Sequence, residues 1–232
     1  MEETALEESP DCRIRFFVEL AISYGLILAT IWCPLSVRRY LWWTTIFWIL
    51  LVAVYAAWKG ERFGLGVSGF RQSLWALSAA AVFVAIEIAC AAALGTLDVH
   101  YFAPPHPPML GYFIFCFVQQ FILQNLFLVR LLRLLGRPSR AIAAAGVMMS
   151  LAHLPNLLLT IATLLWGTAA CWLFLRYRNL WAVGLIHFLL GISMAICVPG
   201  SVHHHMRVGR SYSLYHHHVA AVPAPGIGTH AP

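Results

Sequence analysis

Gln119, Gln120, Gln124 and Asn125 lie in one otherwise apolar stretch, His153 and Asn156 close a second, and His187 stands inside a third. Imidazole titrates nearest neutrality and serves as general acid, general base or metal ligand. A carboxamide donates and accepts hydrogen bonds but takes no proton near pH 7. Amides beside two imidazoles therefore suit a pocket that binds and orients, with only the histidines able to move a proton. Gln120 and Gln124 are four residues apart and share a helix face. Gln120 is equidistant in sequence from Leu110 and Arg130, which puts it near mid-span. At the helical rise, His187 sits roughly 13 Å beyond Arg178 and His153 roughly 20 Å beyond Arg140. The similar depths bring these groups into one pocket.

Other groups compete for the chemistry. Glu87, midway along a further apolar run, is the carboxyl group best placed to act as a base. The better reading of it is a structural acid, held protonated by desolvation or bonded to a neighbouring helix. Ser150, three residues before His153, suggests a Ser–His pair, but no Gly-x-Ser-x-Gly elbow surrounds it. Each intramembrane histidine alone reads as an interhelical hydrogen-bond donor. As a pair, His153 and His187 would also suit the axial positions of a haem, or a quinone site. His203–His205 and His216–His218 invite a divalent metal or a lid over the pocket. The better reading of that region is a polar tail solvated near the lipid headgroups.

The elements that position these groups are membrane helices. Of 232 residues, 61% are hydrophobic and 10% charged, with mean hydropathy +0.77. An ordinary soluble domain carries about a quarter charged residues, so this composition excludes a cytosolic globule, a disordered tail and a nucleic-acid-binding arm. Five of the nine acids (Glu2, Glu3, Glu7, Glu8, Asp11) crowd the N-terminus, leaving Glu19, Glu61, Glu87 and Asp98 for the rest. About 20 apolar residues cross the hydrocarbon. Runs of that character appear at Phe16–Pro34, Leu41–Trp58, Leu74–Leu94, Leu110–Leu132, Ala141–His153, Leu157–Leu175 and Leu180–Val198. The expected fold is all-α, a polytopic transmembrane helix bundle of about seven spans, with six to eight allowed. Ala141–His153 is short and must be tilted or shielded by its neighbours.

Three regions follow: an acidic N-terminal segment (1–15), the bundle (16–198) and a His-rich, then Pro/Gly/Ala-rich tail (199–232) whose last part, 219–232, reads as unstructured. The acidic start lacks the basic region and cleavage site of a signal peptide. Arg13 and Arg15 abut the first run as in an uncleaved anchor. Basic loop residues are more numerous on the side of the N-terminus, which places that terminus inside, although Arg38 and Arg39 oppose the bias. The six cysteines stand singly and read as small hydrophobes.

The segments Val118–Asn125, Met149–His153 and Asn179–Gly191 resemble, in order and interval, the CPBP family of CAAX-processing and bacteriocin-processing intramembrane proteases, over about 110–195. In that family a Glu-Glu pair, followed by Arg, activates water, and two histidines and an Asn support it or the oxyanion. Position by position, His153 and His187 match the histidines. Gln119 and Gln120 stand at the glutamate pair, Gln124 at the Arg, Met149 at a Phe and Gly191 at the Asn. The paired loss of acid and Arg is self-consistent, since losing one alone would strand a buried charge.

The resemblance implies a membrane-embedded endopeptidase cutting a membrane-proximal or lipidated peptide. The pocket lies between the fourth, fifth and seventh runs, with His153, His187, Gln119 and Gln120 as its working groups and Gln124, Asn125, Asn156 and Glu87 lining it. The alternative is a catalytically silent relative that binds such a peptide or lipid as a scaffold. No cofactor is required by the residues, though a divalent metal remains compatible with them. The expected location is a bacterial inner membrane, multi-pass, with a cytoplasmic N-terminus, and the partners are the bilayer and the peptide, not nucleic acid.

Overall fold

In hydrocarbon the backbone has no partner but itself, so apolar runs of this length fold as helices. The computed structural model describes residues 10–67, 69–101 and 109–221, without the side chains of 216–221, and contains no strand among them. The helices are α1 (Pro10–Trp32), α2 (Leu35–Trp58), α3 (Phe70–Leu94), α4 (Met109–Phe121), α5 (Val129–Leu135), α6 (Pro138–Leu151), α7 (Leu157–Tyr177), α8 (Leu180–Cys197), α9 (Gly200–His203) and α10 (Gly209–Ala221). A wide-turn π-helical stretch, Ile122–Leu128, joins α4 to α5 without a break. The span Met109–Leu135 thus has 27 residues.

Among the described residues, six helices are long and apolar enough to cross a membrane, and the chain is a multi-pass membrane protein. Six lies within the expected range, and the run left out is the one marked as short. The run Ala141–His153 forms most of α6, whose 14 residues reach only about 21 Å at the helical rise. Leu151 and Leu154 at its far end stay exposed, while the turn that follows is tied by hydrogen bonds through the buried Asn156, so its backbone groups find partners within the protein.

The bundle has two unlike ends. One is arginine-rich: Arg13 donates to the Leu134 carbonyl, Arg15 to the Tyr55 hydroxyl and Arg178 to the Arg62 carbonyl. The loop after α2 docks there on the α7–α8 turn, where Asn179 donates to the Gly66 carbonyl and Trp181 to that of Leu65. Asn179 also caps α8, accepting from the Ala182 amide. At the other end, Thr96 donates to the Cys197 carbonyl, and the chain after α8 folds back over the α6–α7 turn. Asn156 donates to the carbonyls of His203 and Arg207, and the Gly209 amide donates to the Leu154 carbonyl. These bonds satisfy backbone groups that the short α6 leaves inside the slab.

That fold-back overturns the solvated-tail reading for its first half. His203 is fully buried, stacked edge-on against Tyr101 at 5.6 Å. Burial favours the uncharged ring and lowers the His203 pKa below its usual 6.5. The side chains of His216–His218 and the segment 222–232 lie outside the described residues.

Candidate functional site

Three of the expected site residues are joined in a linear relay. The Gln124 Nε2–H donates to Gln120 Oε1 at 2.9 Å, and Gln120 Nε2–H donates to His187 Nδ1 at 3.0 Å. All three side chains are buried. Helical spacing puts both amides on one face, and the antiparallel packing of α4 on α8 brings that face to His187. Gln124 also reaches the Cys171 thiol of α7.

His153 arrives from the end of α6. Its Nδ1 lies 2.8 Å from the Met149 carbonyl, an obligate acceptor, so Nδ1 carries the proton. It is near enough to His187 to interact electrostatically with it. Trp166 of α7 lies against the His187 ring, centroids 6.2 Å apart. Among the described residues nothing hydrogen-bonds to Nε2 of either histidine.

The two imidazoles are therefore in complementary states. His187 accepts at Nδ1, which leaves its neutral ring protonated at Nε2, a hydrogen-bond donor. His153 donates at Nδ1, which leaves a lone pair at Nε2, a base. One ring can polarise a carbonyl while the other takes a proton.

The remaining candidates are distributed differently. Gln119 is half-buried and takes no part in the relay. Asn125 is buried, with neither amide atom hydrogen-bonded, as is the Oε1 of Gln124. Asn156 is an architectural residue: besides holding the fold-back, its Oδ1 accepts from the Leu159 amide to cap α7. Glu87 on α3 interacts with Cys197, which lies about 15 Å beyond His187 along α8. Ser150 donates to the Thr160 carbonyl, not to His153, which removes the Ser–His pair. Among the described residues, no three His, Cys, Asp or Glu side chains gather to hold a metal ion.

Three features escaped the sequence reading. Tyr112 fills the space above Gly191, where any Cβ would collide with its hydroxyl. Trp166 joins the site from a helix not assigned to it. The third is an ion cluster at the arginine-rich end. Arg130, 2% exposed, donates from Nε to Glu19 at 3.0 Å, and from one terminal nitrogen to Glu61 at 2.9 Å and to the Asn125 carbonyl at 2.8 Å. Its signal was available: two of only four carboxylates outside the N-terminal segment answer an arginine placed in an apolar span.

Fold and site together define a polytopic helical membrane protein with a buried amide–imidazole centre where α4, α6, α7 and α8 meet. Residues 107–193, which hold that centre, match the family described as type II CAAX prenyl endopeptidase, Rce1-like, so this multi-pass membrane protein is similar to that family over that region. No curated protein and no solved structure matches the chain.

Proposed function

We propose that the protein is an intramembrane endopeptidase that cleaves a membrane-proximal or lipidated peptide using its two histidines, without the carboxylate base of the family it resembles. The observation that carries this reading is the complementary protonation of His153 and His187. His153 Nε2 takes a proton from water as the oxygen attacks the scissile carbonyl, and His187 Nε2–H binds the carbonyl oxygen as it gains charge. The His153 imidazolium then returns the proton to the leaving amine. Gln120 and Gln124 stay neutral throughout and hold His187 in its donor form. No step runs through a metal. Substrate reaches the site from the bilayer. The N-terminus faces the cytoplasm of a bacterial inner membrane, a reading supported by the arginines gathered at that end.

The test is cleavage of a membrane-proximal peptide library by purified protein in liposomes. Cleavage abolished by His153→Ala, and reduced about 10²–10³-fold by His187→Ala on the scale of a lost oxyanion donor, supports the reading. The substitution of amides for acids favours a second reading, a peptide-binding protein with no hydrolytic activity. A silent wild type that gains cleavage with Gln119→Glu/Gln120→Glu would establish it.

A further inference from the structure

The indole of Trp166 is unlike the others in this chain. Of nine tryptophans, seven are exposed, and two of these still place their N–H on an oxygen: Trp75 on the Tyr177 hydroxyl and Trp181 on the Leu65 carbonyl. Only Trp48 and Trp166 are half-buried. Trp48 donates to the Ser23 hydroxyl at 3.0 Å. The Trp166 Nε1 is buried and has no hydrogen-bond partner among the described residues. Buried indole N–H groups normally find an acceptor, and a donor left without one is a cost the fold would otherwise shed.

Its location says what the missing acceptor is. The ring packs on His187, inclined at 48°. The next residue, Gly167, lies against Met149, whose carbonyl orients His153. Trp166 Nε1–H and His187 Nε2–H are thus uncharged donors on two rings in contact, near the helix that carries the His153 base, and among the described residues neither has an oxygen to bond. A carbonyl oxygen carries two lone pairs and accepts two such donors.

We infer that Trp166 is a second catalytic hydrogen-bond donor, gripping with His187 the carbonyl oxygen of a bound peptide. This rests on the peptide-pocket reading above and extends it to a residue on α7. Both donors are neutral, so they favour an uncharged peptide carbonyl, and the oxyanion that develops from it, over a carboxylate.

Trp166→Phe keeps an aromatic ring on His187 and removes the N–H. The protein in liposomes or detergent should lose about 10²–10³-fold in kcat with KM changed less than about threefold, as for removal of one oxyanion donor. A benzothiophene side chain at 166, which keeps the indole shape without the N–H, gives the same comparison if Phe impairs folding. In parallel, 15N-labelled indoles are observed by NMR, with the resonance missing from the Trp166→Phe spectrum identified as Trp166. Its proton should move downfield when a ketomethylene analogue of the peptide is added. A wild type that never cleaves but shows this shift would sink the hydrolytic reading and keep the donor. Unchanged kcat in the variant, or an indole resonance that no peptide or analogue moves, would overturn the Trp166 assignment.

Discussion

Arg130→Met should destabilise the fold by about 3 kcal/mol, and the structure supplies the arithmetic. The Arg130 side chain is 2% exposed, and its partners Glu19 and Glu61 are 10% and 14% exposed. Removing one member of such a buried set costs about 3–5 kcal/mol, because the charges left behind keep their desolvation penalty. Here each carboxylate retains a weaker partner: Arg15 lies 3.4 Å from Glu19, and Arg133 lies 3.4 Å from Glu61. That compensation puts the expected loss at the lower end of the range. Met preserves much of the apolar stem, so little of the loss is packing. Unfolding by SDS in mixed micelles, followed by helical circular dichroism, measures it. The triple change Arg130→Met/Glu19→Gln/Glu61→Gln should recover most of the stability, since a buried ion set replaced entirely by neutral groups is often close to neutral. A single-variant loss below about 1 kcal/mol, or a triple variant weaker than the single, would refute the cluster as a buried network joining α1, the α2–α3 loop and α5.

Other consequences are independent of that cluster. Nitrogen-15 NMR of the histidines should find His187 protonated at Nε2 and His153 at Nδ1; a proton on His187 Nδ1 would mean that both relay amides point the other way. The lowered pKa of His203 means that the folded state prefers the neutral ring. Its stabilisation is complete above about pH 6.5 and is lost as pH falls below that value, because the unfolded chain then binds the proton more readily. The protection of the Gly209 amide against hydrogen exchange, relative to its intrinsic rate at each pH, should fall on acidification, and His203→Phe should abolish that pH dependence; a protection factor constant from pH 7.5 to 5 would contradict it. Gly191→Ala should cost about 1–3 kcal/mol by overpacking against Tyr112, with much of it restored by Tyr112→Leu; an unchanged melting temperature in the single variant would show that the α4–α8 contact yields freely. Asn125→Leu should raise thermal stability, because it removes two unbonded buried polar atoms, and a fall would show that water or a ligand satisfies them.

The site was legible where chemistry and depth coincided. Gln120, Gln124 and His187 stood out because amides and imidazoles are costly in lipid, and counting residues from flanking arginines placed them at one level. The fifth apolar run was correctly marked as short, but its length alone could not say that the chain after α8 ties down the turn at its end. That tie depends on Asn156 bonding to distant main-chain carbonyls, which have no side-chain signature. Arg130 was read as the edge of a span because an arginine next to a loop ordinarily is one. Its burial depends on Glu19 and Glu61, distant in sequence. Trp166 and Tyr112 were hidden for the opposite reason: an aromatic residue in or at the edge of an apolar run looks like packing or an interfacial anchor until its polar atom is seen without a partner or pressed against a glycine.

The resemblance to CAAX endopeptidases and the amides at Gln119 and Gln120 pull in different directions, and the mechanism proposed for the paired histidines would reconcile them. Cleavage of a membrane-proximal peptide in liposomes by the wild type, His153→Ala and Gln120→Glu proteins tests that directly. The account predicts a cleaving wild type and an inactive His153→Ala variant. It also predicts reduced activity in Gln120→Glu, whose carboxylate would accept from His187 Nδ1 and strip the donor proton from Nε2. A silent wild type together with an active Gln120→Glu variant would contradict it.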